Sequence, residues 1–185
     1  MKKVIPFVVL LPMMLAVLAG CGGRGNNYTL EEAKASGFVV FENSNITSGQ
    51  SAWDAFVDHA NQGDPCEVTL AFYYTLDRQS VSPELYEEEK DDYPVLYIQK
   101  LRFDGKLFTL SYRDEDGKHT FQYHYLKRFE TTNPPASALF TSRIWYALVN
   151  DKEVTGEQIE RGMFSSRSGD WIDHQVVYSK YTYKN

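Results

Sequence analysis

The residues of this sequence that could do covalent chemistry are two cysteines, Cys21 and Cys66, and four histidines, His59, His119, His124 and His174. A cysteine nucleophile needs a depressed thiol pKa, hence an electropositive, accessible place and a base within reach. Cys66 instead has Asp64 and Glu67 as neighbours, whose charges raise a thiol pKa, so it reads as a small half-buried residue at a strand start. Serine catalysis finds no nucleophile-elbow pattern, and the serines cluster in expected loops. His119 and His124 lie five residues apart on one expected strand. Side chains alternate along a strand, so the two rings point to opposite faces and cannot form a simple ligand pair. His59 stands beside Asp58, away from the apolar stripe of its helix, and reads as solvated. No spacing matches a zinc site, and no metal or other cofactor is expected.

Two acidic stretches, Glu87 to Asp92 and Asp114-Glu115-Asp116-Gly117, offer oxygen ligands of the kind calcium takes. The second lacks the later bidentate glutamate of an EF-hand loop and the first lacks a turn residue, so both read as solvated charge runs. The compositional excess is aromatic: 13 tyrosines, 11 phenylalanines and 3 tryptophans. On the third strand of an expected meander Phe121, Tyr123 and Tyr125 share a face, as do Tyr181 and Tyr183 on the last strand. Rings so arranged could form a platform for a sugar or a protein partner, because tyrosine supplies large contact area at little entropy cost. Filling the buried face of a strand is the competing use of the same residues. The candidate ligand-binding residues are therefore Tyr123, Tyr125, Tyr181 and Tyr183.

Gly20-x-Gly22-x-x-Gly25 matches the glycine fingerprint of a dinucleotide-binding turn. That turn needs a strand before it and a helix opening after it. Upstream stand Met1-Lys2-Lys3 and then an apolar run from Val4 to Leu18 interrupted by Pro6 and Pro12, the charged and apolar regions of a secretory leader. Downstream, Gly22 to Asn27 is flexible and polar, with no apolar period to open a helix. The nucleotide reading fails on context. Leu18-Ala19-Gly20-Cys21 resembles the lipobox of bacterial lipoproteins. The resemblance implies that Cys21 carries a thioether-linked diacylglycerol, that cleavage falls before it, and that the mature chain starts there. Residues 1–20 are then the signal peptide, 21–28 a lipidated tether, and 29–185 a single domain. The implied location is the extracytoplasmic face of the cell membrane, with the membrane as partner through the lipid at Cys21.

With Cys21 carrying lipid, Cys66 has no partner for an intramolecular disulfide, so stability must come from the core. Losing Lys2 and Lys3 with the leader takes the formal charge from −6 to −8. An acidic chain with no basic run is a poor partner for nucleic acid.

The elements that must position these residues follow from capping and periodicity. Thr29 and Glu32 form a capping box and Gly37 suits a left-handed end, which predicts a helix over Leu30 to Ser36. Phe38 to Phe41 reads as a strand or an extended docking segment, and Glu42 to Gln50 as a loop. Trp53, Phe56, Val57 and Ala60 make one apolar stripe on a helix opening at Ser51 and stopped by Gly63-Asp64-Pro65. Cys66 to Leu76 alternates as a long strand, and Asp77 to Asp92 reads as an exposed connection. A meander follows over Tyr93 to Phe103, Lys106 to Arg113 and Lys118 to Leu126, turning at Asp104-Gly105 and Glu115-Asp116-Gly117. After a break at Thr131 to Pro135 come a strand over Arg143 to Val149, a short helix or hairpin arm over Thr155 to Met163, and a last strand over Gln175 to Tyr183. The fold expected is α+β: N-terminal helices packed on a curved antiparallel sheet, of which a cystatin-like arrangement is one version.

The stretch Ala35-Ser36-Gly37-Phe38-Val39-Val40, then Asn45, Phe56 and Tyr74-Thr75, resembles a family of small Gram-positive surface lipoproteins, the domain of unknown function DUF4362. The similarity covers the first half of the mature domain. It departs after Tyr-Thr, where Leu76-Asp77-Arg78 stands in place of that family's acidic Gly-Asp-Pro turn. The family brings no assigned activity and no catalytic residue. The function expected is a lipid-anchored binding module for a protein, peptide or wall saccharide. The alternatives are a small hydrolase whose carboxylates converge in the fold, a peptidase inhibitor, and an accessory of an envelope complex.

Overall fold

The computed structural model describes residues 28–132, 134 and 138–184. The leader, the lipobox and Cys21 lie outside them. Helix α1 (Leu30–Ala35) opens on the expected reciprocal box: Thr29 Oγ1 accepts from the Glu32 N–H at 3.2 Å and the Glu32 carboxylate accepts from the Thr29 N–H at 2.7 Å. Gly37 ends it at φ +74°. Strand β1 (Val39–Glu42) then turns back into β2 (Asn45–Ser48), where a loop was expected. The turn residues Asn43 and Ser44 both hold positive φ, as a tight two-residue hairpin requires. The Asn43 side chain fixes the turn by donating to Thr75 Oγ1 and accepting from the Thr75 N–H. Neither residue is glycine, so the pair carries little turn signal in sequence.

Helix α2 (Gln50–Gln62) runs between Gly49 and Gly63, both left-handed, and buries Trp53 and Phe56. Strand β3 (Cys66–Tyr74) follows. The expected exposed connection contains a short helix, α3 (Pro83–Glu89), started by Ser82 Oγ accepting from the Leu85 N–H with Pro83 in the first turn. None of its residues is buried, so it has no apolar stripe by which to be seen. Strands β4 (Val95–Phe103), β5 (Phe108–Asp114) and β6 (Gly117–Tyr123) form the expected meander. Asp104 Oδ1 ties its first turn by accepting from the N–H groups of Lys106 and Leu107. Strands β7 (Tyr125–Thr131) and β8 (Phe140–Val149), helix α4 (Gly156–Met163) and strand β9 (His174–Tyr183) complete the chain. The Thr155 to Met163 segment is thus a helix, with its own box between Thr155 and Gln158.

The fold mixes helices and strands, as expected, but the sheet differs from the one expected. Among the described residues there are two sheets: six strands ordered β2-β1-β3-β4-β5-β6, and three ordered β7-β8-β9. The larger is mixed, because β1 runs parallel to β3 with α2 as the crossover between them. The expected third meander strand, Lys118 to Leu126, breaks at His124: residues up to Tyr123 pair with β5, and residues from Tyr125 pair with β8. Phe121, Tyr123 and Leu126 all pack on the main core. The step from 123 to 126 is odd, so strict alternation must slip once, and the chain changes sheets at that slip.

The main core joins both sheets through α2. Val39, Phe41, Leu70, Leu101, Phe108 and Leu110 come from the six-stranded sheet, Trp53 and Phe56 from the helix, and Leu148, Val177 and Tyr178 from the three-stranded one. Trp53 stacks on Tyr178 at 4.7 Å and meets the edge of Tyr146 at 5.1 Å. A bulge lets the adjacent Val177 and Tyr178 both enter this core, since Tyr146 faces Tyr178 while Ala147 faces Val176. A second cluster buries Trp145, Ala147, Val149 and Val154 against Ile159 of α4, and a third buries Ala33 of α1 against Val40 and Ala71.

Candidate functional site

The four candidate tyrosines fall in three places. Tyr123 is 2% exposed, part of the main core, with its hydroxyl donating to Asp173 Oδ1 at 3.4 Å. Burial, with the charge of Asp173 beside it, pushes its pKa up to about 12. It presents no face to a ligand. Tyr125 begins β7 opposite Val149 and is exposed. The shared face expected for Tyr123 and Tyr125 is lost because the break at His124 puts them in different sheets. Tyr181 pairs with Arg143 at the other end of β8, six residues or about 20 Å along the strand from Val149. There Tyr181 and Tyr183 stack at 6.0 Å, the Arg143 guanidinium lies 4.8 Å from the Trp145 ring and 5.3 Å from Tyr181, and the Tyr183 hydroxyl donates to Asn45 Oδ1 at 3.1 Å. No single platform can contain all four rings.

Among the described residues no group of three or more histidines, cysteines and carboxylates converges for a metal. His174 is buried and donates from Nδ1 to the Ile172 carbonyl at 2.7 Å. His119 meets Asp114 at 2.9 Å and stacks on Tyr112. His59 is exposed, 3.8 Å from Asp64. Burial, then Asp64, pushes the Cys66 thiol pKa up, and its Sγ lies 3.5 Å from the Phe56 carbonyl.

Three glutamates, Glu130, Glu157 and Glu160, line a cleft of about 220 Å³ with Phe129 and Trp145. Each faces its own arginine: Arg128 at 3.0 Å, Arg161 at 2.6 Å and Arg143 at 3.9 Å respectively. A general acid needs a raised carboxyl pKa. Among the described residues, every carboxyl with a resolved shift is lowered, in each case chiefly by a hydrogen bond to its charged form.

The exposed candidate, Tyr125, opens onto a groove of about 590 Å³ where both sheets meet. Its apolar lining is Phe103 and Phe108, stacked at 4.5 Å, with Leu126 and Ala60 from the end of α2. Around these stand Lys106, Lys127 and Lys152, with His124, Tyr125 and Asn61; Glu153 is the lone carboxylate among the lining residues. The elements that hold the lysines are defined. The Asp104 turn sets Lys106 on the β4–β5 hairpin. Lys127 Nζ donates to the carbonyls of Lys152 and Val154, the latter at 2.7 Å, and so straps the segment after β8 to β7. Lys106 and Lys152 are exposed and form no ion pair among the described residues. Asn150 Oδ1 accepts from both the backbone N–H and the ring Nδ1 of His124, which leaves Nε2 free of that bond.

In a chain of formal charge −6, three ammonium groups around an apolar floor are a local reversal of sign. Such a site can bind, since it sets cationic groups beside apolar contact surface. Sequence reasoning reached Tyr125 through its aromatic neighbours and missed the lysines, which stand 21 and 25 residues apart along the chain. A wider depression of about 720 Å³ surrounds the start of α2, with Ile46, Gln50, Asp54 and Lys180 in its lining, and brings no comparable concentration of charge. In comparisons with known proteins, no family model, curated protein or solved structure matches this chain.

Proposed function

We propose that the protein is a lipid-anchored binding module on the extracytoplasmic face of the membrane, tethered through Cys21, and that it takes a protein, peptide or wall saccharide in the groove beside Tyr125. The anchor reading rests on the leader and the lipobox Leu18-Ala19-Gly20-Cys21. The resemblance of its first half to the DUF4362 lipoproteins supports the same location. The order of α2 followed by the meander β3 to β6 supports a cystatin-like arrangement of helix on sheet. The observation that carries the binding reading is the groove itself, an apolar floor of Phe103, Phe108 and Leu126 edged by Lys106, Lys127 and Lys152. Ligand sites in general combine an apolar body with a few placed polar groups.

The test is a thermal-shift panel on the full chain in detergent micelles, with wall fragments, oligosaccharides and peptides as ligands. At a hundred times its dissociation constant a ligand adds about 2.7 kcal/mol, which raises the midpoint of a domain this size by about 5 to 10 °C. The expected result is a shift with one ligand class that disappears in a Lys106→Glu, Lys152→Glu variant whose unliganded midpoint is unchanged. A shift of equal size in that variant places binding elsewhere and defeats the groove reading.

A further inference from the structure

We infer that the occupant of the groove is an extended acidic peptide segment that adds to the open edge of β7. The inference rests on the reading of the groove as the binding surface. Three features of the groove select this ligand together.

The first is main-chain valence. In the order β7-β8-β9, β7 has a strand on one side only among the described residues, and its Tyr125, Leu126 and Lys127 line the groove. The free edge of a strand carries N–H and C=O groups that match another peptide backbone. A phosphate polymer or a glycan has no such repeating pair of donor and acceptor.

The second is the floor. The apolar surface open in the groove is that of the half-buried Ala60 and Leu126, backed by the stacked and nearly buried Phe103 and Phe108. Apolar side chains laid there lose water contact, whereas a purely anionic chain leaves this surface unused.

The third is charge. Lys106 and Lys152 rise from different loops with no ion-pair partner among the described residues, and Lys127 is fixed by its bonds to the carbonyls of Lys152 and Val154. In an added strand successive side chains point to opposite faces. Apolar residues at alternate positions then meet Ala60 and Leu126 while carboxylates at the others meet Lys106 and Lys152. Charge complementarity also favours encounter, since the rest of the chain is acidic and repels the same ligand.

The experiment is fluorescence anisotropy on the full chain in detergent micelles. The probe is a fluorescein-labelled, acetylated octapeptide of alternating glutamate and leucine. Its comparators are the lysine and leucine counterpart, the glutamate peptide N-methylated at alternate amides, and unlabelled inorganic polyphosphate as competitor. The glutamate peptide is expected to bind, and to weaken about tenfold or more on either N-methylation or the paired change Lys106→Glu with Lys152→Glu. The lysine peptide is expected not to bind. If the N-methylated peptide binds as well as its parent and polyphosphate displaces both, the groove is an anion site without peptide recognition; the inference falls and the groove reading stands. If binding is absent, or unchanged by the paired lysine substitutions, both fall.

Discussion

The phenol of Tyr123 lies at the edge of the main core with Asp173 as its acceptor, and the consequence is a pH dependence of known sign. Its pKa rises from an ordinary 10.0 to about 12 because burial and the nearby carboxylate disfavour the phenolate. Below pH 10 the group is protonated in both states and stability is unaffected. Between pH 10 and 12 the unfolded chain releases this proton and the folded chain keeps it, so stability falls as pH rises, by up to about 3 kcal/mol. Tyr123→Phe should remove that part of the alkaline loss while changing stability at pH 7 by about 1 kcal/mol or less. Urea unfolding midpoints at pH 7 and pH 11 check it: equal alkaline losses in the two proteins would refute the assignment. Two residues on, Tyr125 should tolerate alanine, being exposed at a strand start, and the same substitution should weaken whatever ligand the groove takes.

At the scale of elements, the junction between β2 and α2 is the tightest point described. Gly49 sits at φ +76°, and a Cβ there would run into the carbonyl group of Phe38 and the Cα of Val39, backbone atoms that cannot swing aside. Gly49→Ala should therefore cost about 2 to 4 kcal/mol, through the left-handed conformation and the displaced backbone together. The measurement is the denaturant midpoint at unchanged slope; a loss under about 1 kcal/mol would mean the junction relaxes freely. The effect should reach beyond the junction, because Gly49 fixes where α2 begins and α2 carries Trp53 and Phe56 into the core shared by both sheets. By contrast Thr29→Ala, which removes one half of the α1 box, should cost about 1 kcal/mol, since α1 buries only Ala33.

For the whole molecule, the leader and the groove make one expectation each about place and partner. Cys21→Ala should leave no site for the diacylglycerol implied by the lipobox, and the protein should leave the detergent-soluble membrane fraction of cells expressing it. Fractionation with mass measurement decides the matter: a Cys21→Ala protein that stays membrane-bound at unchanged mass would defeat the anchor. The same variant keeps every residue of the groove, so ligand binding should survive it, which separates anchoring from recognition.

Capping boxes, glycine stops, the apolar stripe of Trp53 and Phe56 and the hairpin turn at Asp104-Gly105 were legible in the sequence, because each depends on residues within a few positions of one another. Local periodicity also revealed seven of the strands in outline, and the leader pattern alone supplies the reading of location. Tertiary structure decided the rest. The hairpin at Asn43-Ser44 and the helix at Pro83 lack the glycine and the apolar stripe by which such elements announce themselves. The sheet change at His124, which buries Tyr123 and exposes Tyr125, follows from which strand each half pairs with, a long-range choice. The groove is the extreme case: Lys106, Lys127 and Lys152 are scattered in sequence, and only the meeting of two sheets sets their charges around one apolar floor.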